Sequence, residues 1–553
     1  MTALLDSSGR PIPRGDVARV RMKAMLNVPE GPGAPQGEWG SPWAYDAQAW
    51  FSQDFGQWFP AVRSPDAEIN VDRDRTVART RDLTRNDGWA RGAIDTMADA
   101  AVGVVMMPLP EPNFGALQRI DRRLDSVWAD EFAAAIEGEW QAWAEGPEKS
   151  CDGARMLTVG QMLRLAFVHK VRDGDALAVV LWNEGALDFG SRYATQIQMI
   201  DPDRLSNPYE QLDLDRMRGG VEIDVLGAPI AYWIRRAEPN DWFDVANSML
   251  WDRFPRETPW GRPVVVHDCE RDRVGQHRGV GVLTSVMGRF KMLSRFDQVS
   301  LQRAVLQALL GMFVKSPYDT EMVQSALADG DDGGLGAYQA LRSAYTAENP
   351  PTLMGGVRIP KLFPGESIET VKSDSSLSEF DVFEHAVLRS VAAATGQTAE
   401  EVTRDYSRTN YSSARSAMQS AHKTLLRRRV DFFRGFASPI YAAWLEEAID
   451  RRYVPLPAGA PEFNEWRAAY AQASWIAPAR GWVDPLKERQ GDVLALDAGF
   501  TTLKAVCAEQ GLNWRKVIEQ RAIEESTMKR MGVRLPVWAG GAGVPATKTT
   551  RPQ

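Results

Sequence analysis

The spacing of the apolar residues changes twice along this chain of 553 residues, and each change narrows the folds open to it. Between 70 and 102, apolar residues recur at spacings near 3.6, which predicts one helix that ends at Gly103. Between 175 and 268 they come in short runs rich in β-branched and aromatic side chains, which predicts strands. A long helical pattern returns at 282–314. This order predicts a helix-rich α+β fold.

The strand region contains several runs that together predict a largely antiparallel sheet of about five strands. Apolar and acidic residues alternate in 221–225, and the LGAP that follows predicts a hairpin with 230–236. The runs are 175–182, 195–200, 219–225, 230–236 and 262–268.

Helical patterns dominate the second half of the chain. One helix is predicted at 379–394, stopping at Gly396. Another begins at a cap on Asn410 or Ser412, and Pro439 is expected to kink or break it. The other predicted helices are 117–144, 156–171, Asp484-Pro485 to Gly499, Thr501 to Gly511 and Asn513 to Gly532.

The composition is that of an ordinary globular protein. Hydrophobic residues make up 44% and the formal net charge is -8, whereas a free-standing non-specific DNA-binding protein is usually basic. Cys151, Cys269 and Cys507 are too sparse for a disulfide framework or a zinc site. No apolar run of signal-peptide length opens the chain, and the most apolar stretch is half a membrane span. We therefore expect a soluble, intracellular protein.

The catalytic motifs of common enzyme classes do not occur in the sequence. There is no GxxxxGK[ST] phosphate loop, no GxSxG elbow and no HExxH zinc motif. GVGVLT (279–284) lacks the third glycine of a dinucleotide fingerprint. His267, Asp268 and Cys269 are adjacent, but successive strand side chains face opposite sides. The sequence predicts no catalytic residue, cofactor or metal, while an enzyme built from scattered carboxylates stays open.

Five stretches, in order, resemble the lambda-type family of phage portal proteins. Each motif alone is weak, and the ordered set, which spans about 45 to 532, is specific. The stretches are RTRDLTRNDGWARGAIDTMADAAVG (79–103), IQMIDPDRLSNP (197–208) leading into GGVEIDVLGAPIAYWI (219–234), RVGQHRGVGVLT (273–284), TGQTAEEVTRDYSRTNYSSARSA (395–417) and GWVDPLKE (481–488).

The resemblance implies a ring of about twelve subunits at one capsid vertex. Such a ring nucleates procapsid assembly and forms the channel through which double-stranded DNA is packaged and ejected. The implied partners are further copies of the chain, the terminase large subunit, the major capsid and scaffold proteins and the head–tail connector, with no membrane. The implied location is the virion, and the host cytoplasm during assembly. ATP hydrolysis belongs to a partner, so the chain itself is expected not to be an enzyme.

The resemblance also implies a portal-type subunit with a β-containing wing, a helical stem, a clip and a helical crown. The expected divisions are an N-terminal arm and linker at 1–69, a wing at 70–277, a stem helix at 278–314, a clip at 315–356, a second stem segment with channel loop at 357–407, a helical wing and crown at 408–532 and a disordered tail at 533–553.

Positive charge is concentrated on the helix predicted after Asn410, at Arg427, Arg428 and Arg429. A lumen lined with arginines would grip DNA, because each neutralised phosphate strengthens binding. We therefore expect these residues at a subunit interface, pairing with carboxylates such as those at 446–447 or 72–74 of a neighbour. A solvated helix face and contact with packaged DNA are the alternatives. Trp89 and Arg91, on the alternately charged helix at 70–102, are predicted to lie at the same kind of interface.

The predicted DNA-facing segment is a polar loop at 365–379. Its small polar residues flank one lysine, and such a set can contact phosphates weakly and release them. An ordinary surface turn is the alternative. The candidate residues are Lys372, Ser373, Asp374, Ser375 and Ser376.

Two other functions compete with the portal interpretation. A nuclease would show metal-dependent activity that a carboxylate substitution abolishes. A capsid or tail adaptor would form a ring or filament without a central hole of duplex width.

Overall fold

The computed structural model describes the chain from residue 60 to 534 with gaps. The described ranges are 60–103, 106–188, 190–310, 313–315, 340–341, 343–345, 347–349, 352–354, 357–359, 367–369, 377–407, 410–479 and 485–534. Ser64–Gln553 forms one compact unit, and the fold given below belongs to it. The predicted arm before 60, most of the predicted clip, the loop residues 372–376 and the tail after 534 lie outside the described residues.

The first helices show a break that the sequence periodicity did not predict. After the short α1 (Pro65–Ile69), two helices, α2 (Arg73–Asn86) and α3 (Gly88–Ala101), replace the single helix expected at 70–102. Asp87 has extended backbone angles, and its side chain accepts a hydrogen bond from Ala90 N at 3.0 Å. The residue is therefore the N-cap of α3, and the chain turns there because an aspartate followed by glycine favours a cap over a continuous helix.

The next helices are shorter than the predicted ones. The pattern at 117–144 contains α4 (Phe114–Leu117) and α5 (Ser126–Ala144), and the pattern at 156–171 is α6 (Val159–Asp173). Thr158 and Gln161 form a reciprocal capping box at the start of α6. Gly174, with φ of 99°, ends the helix in the left-handed conformation.

The predicted strands are confirmed for most of the runs, but the prediction that they form one sheet is wrong. One sheet has the order β3-β2-β8 and the other the order β4-β5-β6-β7, and all the pairs are antiparallel. The 221–225 and 230–236 hairpin is present, with Val221 opposite Tyr232. The strands are β2 (Asp175–Trp182), β3 (Thr195–Ile200), β4 (Met217–Arg218), β5 (Val221–Ile223), β6 (Pro229–Arg235), β7 (Trp251–Pro255) and β8 (Val265–Cys269).

The two sheets separate because β2 is buried on both faces. Ala176, Ala178 and Val180 pack into the main core with the helices. Leu177 and Val179 point the other way, into a second apolar cluster that also includes residues of β5 and β6. An apolar run without alternation is typical of a strand covered on both sides. The four-stranded sheet therefore covers the face of β2 that the helices leave open.

The long helix α9 (Met287–Leu310) is shorter than the predicted 282–314, because a 3-10 turn at Thr284–Val286 precedes it and strand β9 (Phe313–Lys315) follows it. The short strands of this region pair as β9 with β12 and β10 with β11. These are β10 (Thr352–Met354), β11 (Val357–Ile359) and β12 (Ser367–Glu369).

The C-terminal helices follow the predicted caps closely. α10 (Leu377–Thr395) stops before Gly396, and α12 (Tyr411–Phe432) is capped by Asn410, which accepts from Ser413 N at 2.9 Å. At Pro439 the helix does not break. A π-helical turn at Phe433–Ala437 leads straight into α13 (Ser438–Asp450), whose first turn contains the proline. Proline is tolerated there because the first turn needs no amide donor.

The remaining elements complete the unit. A strand pair missed by the sequence, β1 (Met107–Pro110) with β13 (Ala473–Ile476), ties the first helical region to the last. The other elements are α7 (Gly185–Asp188), α8 (Val245–Ser248), α11 (Ala399–Thr403), α13 (Ser438–Asp450), α14 (Phe463–Tyr470), α15 (Pro485–Asp497), α16 (Leu503–Glu509) and α17 (Trp514–Met531).

The centre of the main core is aromatic. Trp140 and Trp143 of α5 pack against Tyr441 and Trp444 of α13, with ring centroids 5.0 Å apart for Trp140 and Trp444. All four are almost completely buried. None of the helices that the structure describes is long and apolar enough to cross a membrane.

Candidate functional site: a buried ion-pair centre and the arginine triplet

Asp175, the first residue of β2, is the centre of a buried charge network. Its carboxylate accepts hydrogen bonds from Arg73 Nη2 at 3.0 Å, Arg278 Nε at 2.9 Å and Gly279 N at 2.7 Å. His267 Nε2 lies 3.2 Å from its other side. Burial alone would raise the pKa of this carboxyl, but the Arg278 and Arg73 guanidinium groups outweigh burial and hold the pKa well below its ordinary value. Asp175 is therefore a buried anion at neutral pH.

A second group of charges lies around Arg81 of α2. Its guanidinium contacts Asp173 at 3.0 Å, Asp201 at 2.8 Å and Asp203 at 2.8 Å. Burial would raise the pKa of Asp173, but hydrogen bonds from Arg172 and Arg81 bring it below the ordinary value. Burial raises the pKa of Asp203, and the neighbouring carboxylates of Asp201 and Asp173 add to this effect against Arg81 and Arg73. One arginine thus joins the end of α6 to the turn after β3.

Arg278 connects the two sheets through neutral acceptors as well as through Asp175. It is 2% exposed, and its guanidinium donates to the carbonyl oxygens of Leu205 and Gly219 at 2.6 Å and of Pro202 at 3.0 Å. Five planar donors in a rigid fork suit such a convergence of acceptors. The side chain therefore fixes the loop between β3 and β4 against β2.

The glycines of GVGVLT allow two backbone segments to touch. A Cβ at Gly279 would lie 1.9 Å from Gly174 O, and one at Gly281 would lie 2.1 Å from Arg172 O. Only glycine fits at such a crossing. The stretch therefore packs against the end of α6, and it does not form a dinucleotide loop.

The side chains of Asp175, His267 and Cys269 come within 4.8 Å of one another, as metal ligands would. The residues do not fit a cation, however. Two guanidinium groups already neutralise Asp175, and burial raises the pKa of Cys269 to about 12, so its thiol is protonated. The arrangement is a structural ion-pair centre.

The arginine triplet makes contacts within its own chain. Arg427 pairs with Glu270 at 2.7 Å and is half-exposed. Arg428 donates to Thr395 O at 2.5 Å, and Arg429 donates to Ala100 O at 2.6 Å and to Ala101 O at 3.0 Å. Burial lowers the pKa of both Arg428 and Arg429. These intrachain contacts were not among the expected alternatives, and the predicted subunit interface stays a prediction.

The carboxylates proposed as interchain partners of the triplet also have intrachain contacts. Glu447 accepts from Ala194 N and Thr195 N at 2.7 Å, and Glu446 lies 3.4 Å from Arg467. Asp72 pairs with Arg75 at 3.3 Å. A neighbour would therefore have to share these groups.

The other predicted interface residues differ in exposure. Trp89 is half-buried and packs against the main core. Arg91 is exposed and lies 3.5 Å from Asp95 on the same helix. Their role at an interface stays a prediction, and the predicted DNA-facing residues 372–376 lie outside the described part of the chain.

Four of the five stretches that the sequence analysis quoted contact one another. Arg81, Asp201 and Arg278 come from the first three and lie around β2. The fourth packs on α3, where Gln397 donates to Ala93 O at 3.1 Å and Arg404 to Thr96 Oγ1 at 2.7 Å. The sequence reasoning missed Asp175, although a charged residue at the head of a wholly apolar strand was a usable signal.

His277 adds a pH-dependent contact between α1 and this centre. Its ring nitrogens face two acceptors, with Nδ1 2.8 Å from Asp66 Oδ2 and Nε2 3.0 Å from Gly227 O. The Asp66 hydrogen bond, opposed by burial, raises the pKa of His277 above its ordinary value. The protonated ring donates to both acceptors, so the charged form is favoured.

We expect His277→Asn to lower the free energy of unfolding more at acidic than at alkaline pH. Because the folded pKa is raised, the contribution is complete below the ordinary pKa of about 6.5 and is lost as pH rises through the folded value. Urea unfolding of both proteins from pH 5.5 to 9 measures the difference. In an Asp66→Asn background the pH dependence should become smaller, because only Gly227 O would then favour the protonated ring. A difference in the free energy of unfolding between the two proteins that stays constant or grows with pH would contradict the assignment of a raised pKa to His277.

The described fold is helix-rich α+β, and its buried charges join elements that are far apart in the chain. The protein belongs to the lambda family of phage portal proteins, because the model of that family, described as "Phage portal protein, lambda family", matches residues 51–429. The role of a portal, a channel for DNA at a capsid vertex, follows from this membership.

Curated relatives match over nearly the whole chain. The portal protein of Escherichia phage N15 is 30% identical over 494 residues, covering 88% of this chain and 90% of the relative. Portal protein B of Escherichia phage lambda is 30% identical over 501 residues, covering 89% and 91%. A chain in the solved neck of an empty gene transfer agent (GTA) particle is 14% identical. The match covers 79% of this chain and 93% of that chain, with a TM-score of 0.43.

Proposed function

We propose that about twelve copies of this chain close into a ring at one capsid vertex, and that double-stranded DNA passes through the ring during packaging and ejection. The observation that carries this proposal is the match to a lambda-family portal over 51–429, joined to 30% identity with two curated portal proteins. A closed ring repeats one heterologous contact between every pair of neighbours.

The charge of the chain suits a channel through which DNA must slide. A net charge of -8 per copy does not favour tight binding to the phosphates of DNA. A lumen lined with arginines would bind DNA more strongly, through counterion release. Arg428 and Arg429 are directed to backbone carbonyl groups of their own chain, which supports a role away from the lumen. The loop residues Lys372 to Ser376 are proposed as the weak, reversible DNA contact.

The proposed subunit divisions follow the order of the elements. The wing at 70–277 would hold the three-stranded and four-stranded sheets and Asp175, while the segment at 278–314 would begin with Arg278 of the ion-pair centre and continue into α9 as the stem. The clip at 315–356 and the second stem segment at 357–407 would follow. The crown and outer wing at 408–532 would begin with α12.

The proposed partners are the terminase large subunit, the major capsid and scaffold proteins and the head–tail connector. The chain would act in the host cytoplasm during assembly and afterwards in the virion. We propose that it has no catalytic activity and that the packaging ATPase belongs to the terminase. The absence of a GxxxxGK[ST] motif supports this division of labour.

Electron microscopy of the purified protein tests the proposed ring. We expect end-on class averages with about twelve-fold symmetry and a central hole of duplex width, because the proposed ring has to let double-stranded DNA pass along its axis. The measurement is made over a range of protein concentrations and with the capsid protein added. Closed rings without a hole would favour the adaptor. Monomers at every concentration, together with metal-dependent cleavage of DNA, would favour the nuclease.

A further inference from the structure

One exposed loop of the four-stranded sheet presents two adjacent aromatic side chains to solvent. Trp242 is 91% exposed and Phe243 is 101% exposed, in the connection between β6 and β7. Single exposed apolar residues are common, but two neighbouring, fully exposed aromatic rings are costly unless a partner covers them. The loop is ordered by its own hydrogen bonds, since Asp241 accepts from Phe243 N at 2.9 Å and Asp244 caps α8.

The same loop is acidic. The segment 237–250 contains Glu238, Asp241 and Asp244 and no lysine or arginine. Burial raises the pKa of Glu238 to about 7, so Asp241 and Asp244, on either side of the two rings, carry most of the negative charge. This arrangement suits a partner that is apolar in the middle and positively charged around it. Buried aromatic side chains with charged residues around them are typical of the hot spots of protein interfaces.

A cavity with the complementary character lies on another part of the molecule. It has a volume of about 270 Å³ and lies between α3, the turn after α10, α12 and the segment at 478–479. Its apolar lining includes Met97, Met418 and Leu425. At about 30 Å³ per water in the liquid, the space equals roughly nine waters, which is room for an aromatic side chain.

The charged lining of this cavity is mostly positive. Arg415, Arg428 and Arg429 contribute to it, with Glu401 as the one carboxylate among the described lining residues. Arg428 also lies 3.5 Å from Glu270, which partly compensates its charge. Arg429 donates to the backbone carbonyls of Ala100 and Ala101, which leaves its charge without a carboxylate partner among the described residues. Guanidinium groups bind carboxylates and also stack on aromatic faces. The cavity therefore suits an acidic segment with an aromatic anchor.

The loop does not fill the cavity of its own chain, because its aromatic residues are exposed and do not line the cavity. Each copy carries one loop and one cavity. If the loop of each copy entered the cavity of the next, every copy would use both surfaces, which is the pattern that a heterologous closed ring requires.

We propose that the Trp242–Phe243 loop of one subunit docks into the cavity beside Arg415, Arg428 and Arg429 of the adjacent subunit. This inference rests on the proposed ring and names one of its contacts. It also gives the arginine triplet an interchain role that is compatible with its intrachain hydrogen bonds, because those bonds hold the guanidinium groups at the cavity wall.

Chemical cross-linking between engineered cysteines tests the contact. Val245→Cys lies two residues from Phe243 and leaves both rings in place, and Ala421→Cys lines the cavity. The protein carrying both changes is assembled and treated with a short bismaleimide. Because the native cysteines are buried, the unmodified protein reports the background. We expect a ladder of covalent multimers, since each link joins one copy to the next.

A matched control uses the other exposed tip of the same sheet. Leu226 is 91% exposed at the β5–β6 turn, so Leu226→Cys with Ala421→Cys should give no ladder above background. Rings that form in electron micrographs but give no ladder, or only an internally linked monomer, would overturn the proposed contact while leaving the ring intact. If the unmodified protein forms no rings under any condition, the proposed function fails and the contact fails with it.

A second measurement follows the energetic role of the two aromatic rings. Replacing both Trp242 and Phe243 with serine should raise the protein concentration needed for half-maximal ring formation at least about tenfold, because buried aromatic anchors dominate binding energy. Leu226→Ser removes a comparably exposed apolar side chain and should leave that concentration within about twofold. Equal effects of the two changes would show that the aromatic rings are not specific anchors.

Discussion

Asp175→Asn is expected to lower the free energy of unfolding by about 3–5 kcal/mol, the usual cost of removing one partner from a buried ion pair. The change keeps the shape of the side chain and removes the carboxylate that, among the described residues, pairs with both buried guanidinium groups. Arg73 and Arg278 are 5% and 2% exposed, so water cannot replace the carboxylate. The asparagine amide has one acceptor oxygen and one NH2 donor, so it cannot accept from both the arginines and Gly279 N as the carboxylate does.

Urea unfolding, followed at a concentration at which the protein does not assemble, measures the loss. Asp74→Asn is the matched control, because Asp74 lies 3.5 Å from the same Arg73 but is 96% exposed. That change should alter stability by no more than about 0.5 kcal/mol. A loss for Asp175→Asn as small as the control would mean that the arginines have other partners or that water reaches them.

Trp444→Ala is the second change with a large expected effect, and it should lower the free energy of unfolding by about 3–5 kcal/mol. Trp444 is fully buried, and its ring contacts Trp140, Trp143 and Tyr193 at centroid distances of 5.0, 5.8 and 5.6 Å. Its Nε1 atom has no hydrogen-bond partner among the described residues. The loss should therefore come from packing and from the cavity left behind.

The absence of a hydrogen bond at Nε1 makes the origin of this loss testable. Trp444→Phe keeps an aromatic ring and gives up no hydrogen bond, so it should cost less than half as much as Trp444→Ala when both are measured by thermal or urea unfolding. Trp242→Ala, at an exposed tryptophan, should change the stability of the unassembled subunit by no more than about 0.5 kcal/mol. Equal losses for Trp444→Phe and Trp444→Ala would indicate that the indole nitrogen does have a partner.

The strand bounds and helix caps, which depend on residues close together in the sequence, were predictable from the sequence alone. The strands 175–182 and 195–200 have the predicted bounds, and the caps Asn410 and Asn513 lie where they were expected. Periodicity and capping act over a few residues, so the sequence carries them directly. The ordered stretches of the sequence also indicated the portal family, which the comparisons confirm.

The tertiary structure decided what depends on residues far apart in the chain. The sequence predicted one sheet, because the apolar run of β2 indicates burial on both faces but does not show which element covers each face. The arginines at 427–429 were expected to pair with carboxylates of a neighbouring subunit, and nothing in the sequence indicated that Arg428 and Arg429 donate to carbonyl groups of their own chain up to about 330 residues away. Burial and pairing are properties of the folded surroundings and not of the side chain, so only the tertiary structure could show that these charges, and Asp175 with them, hold the subunit together.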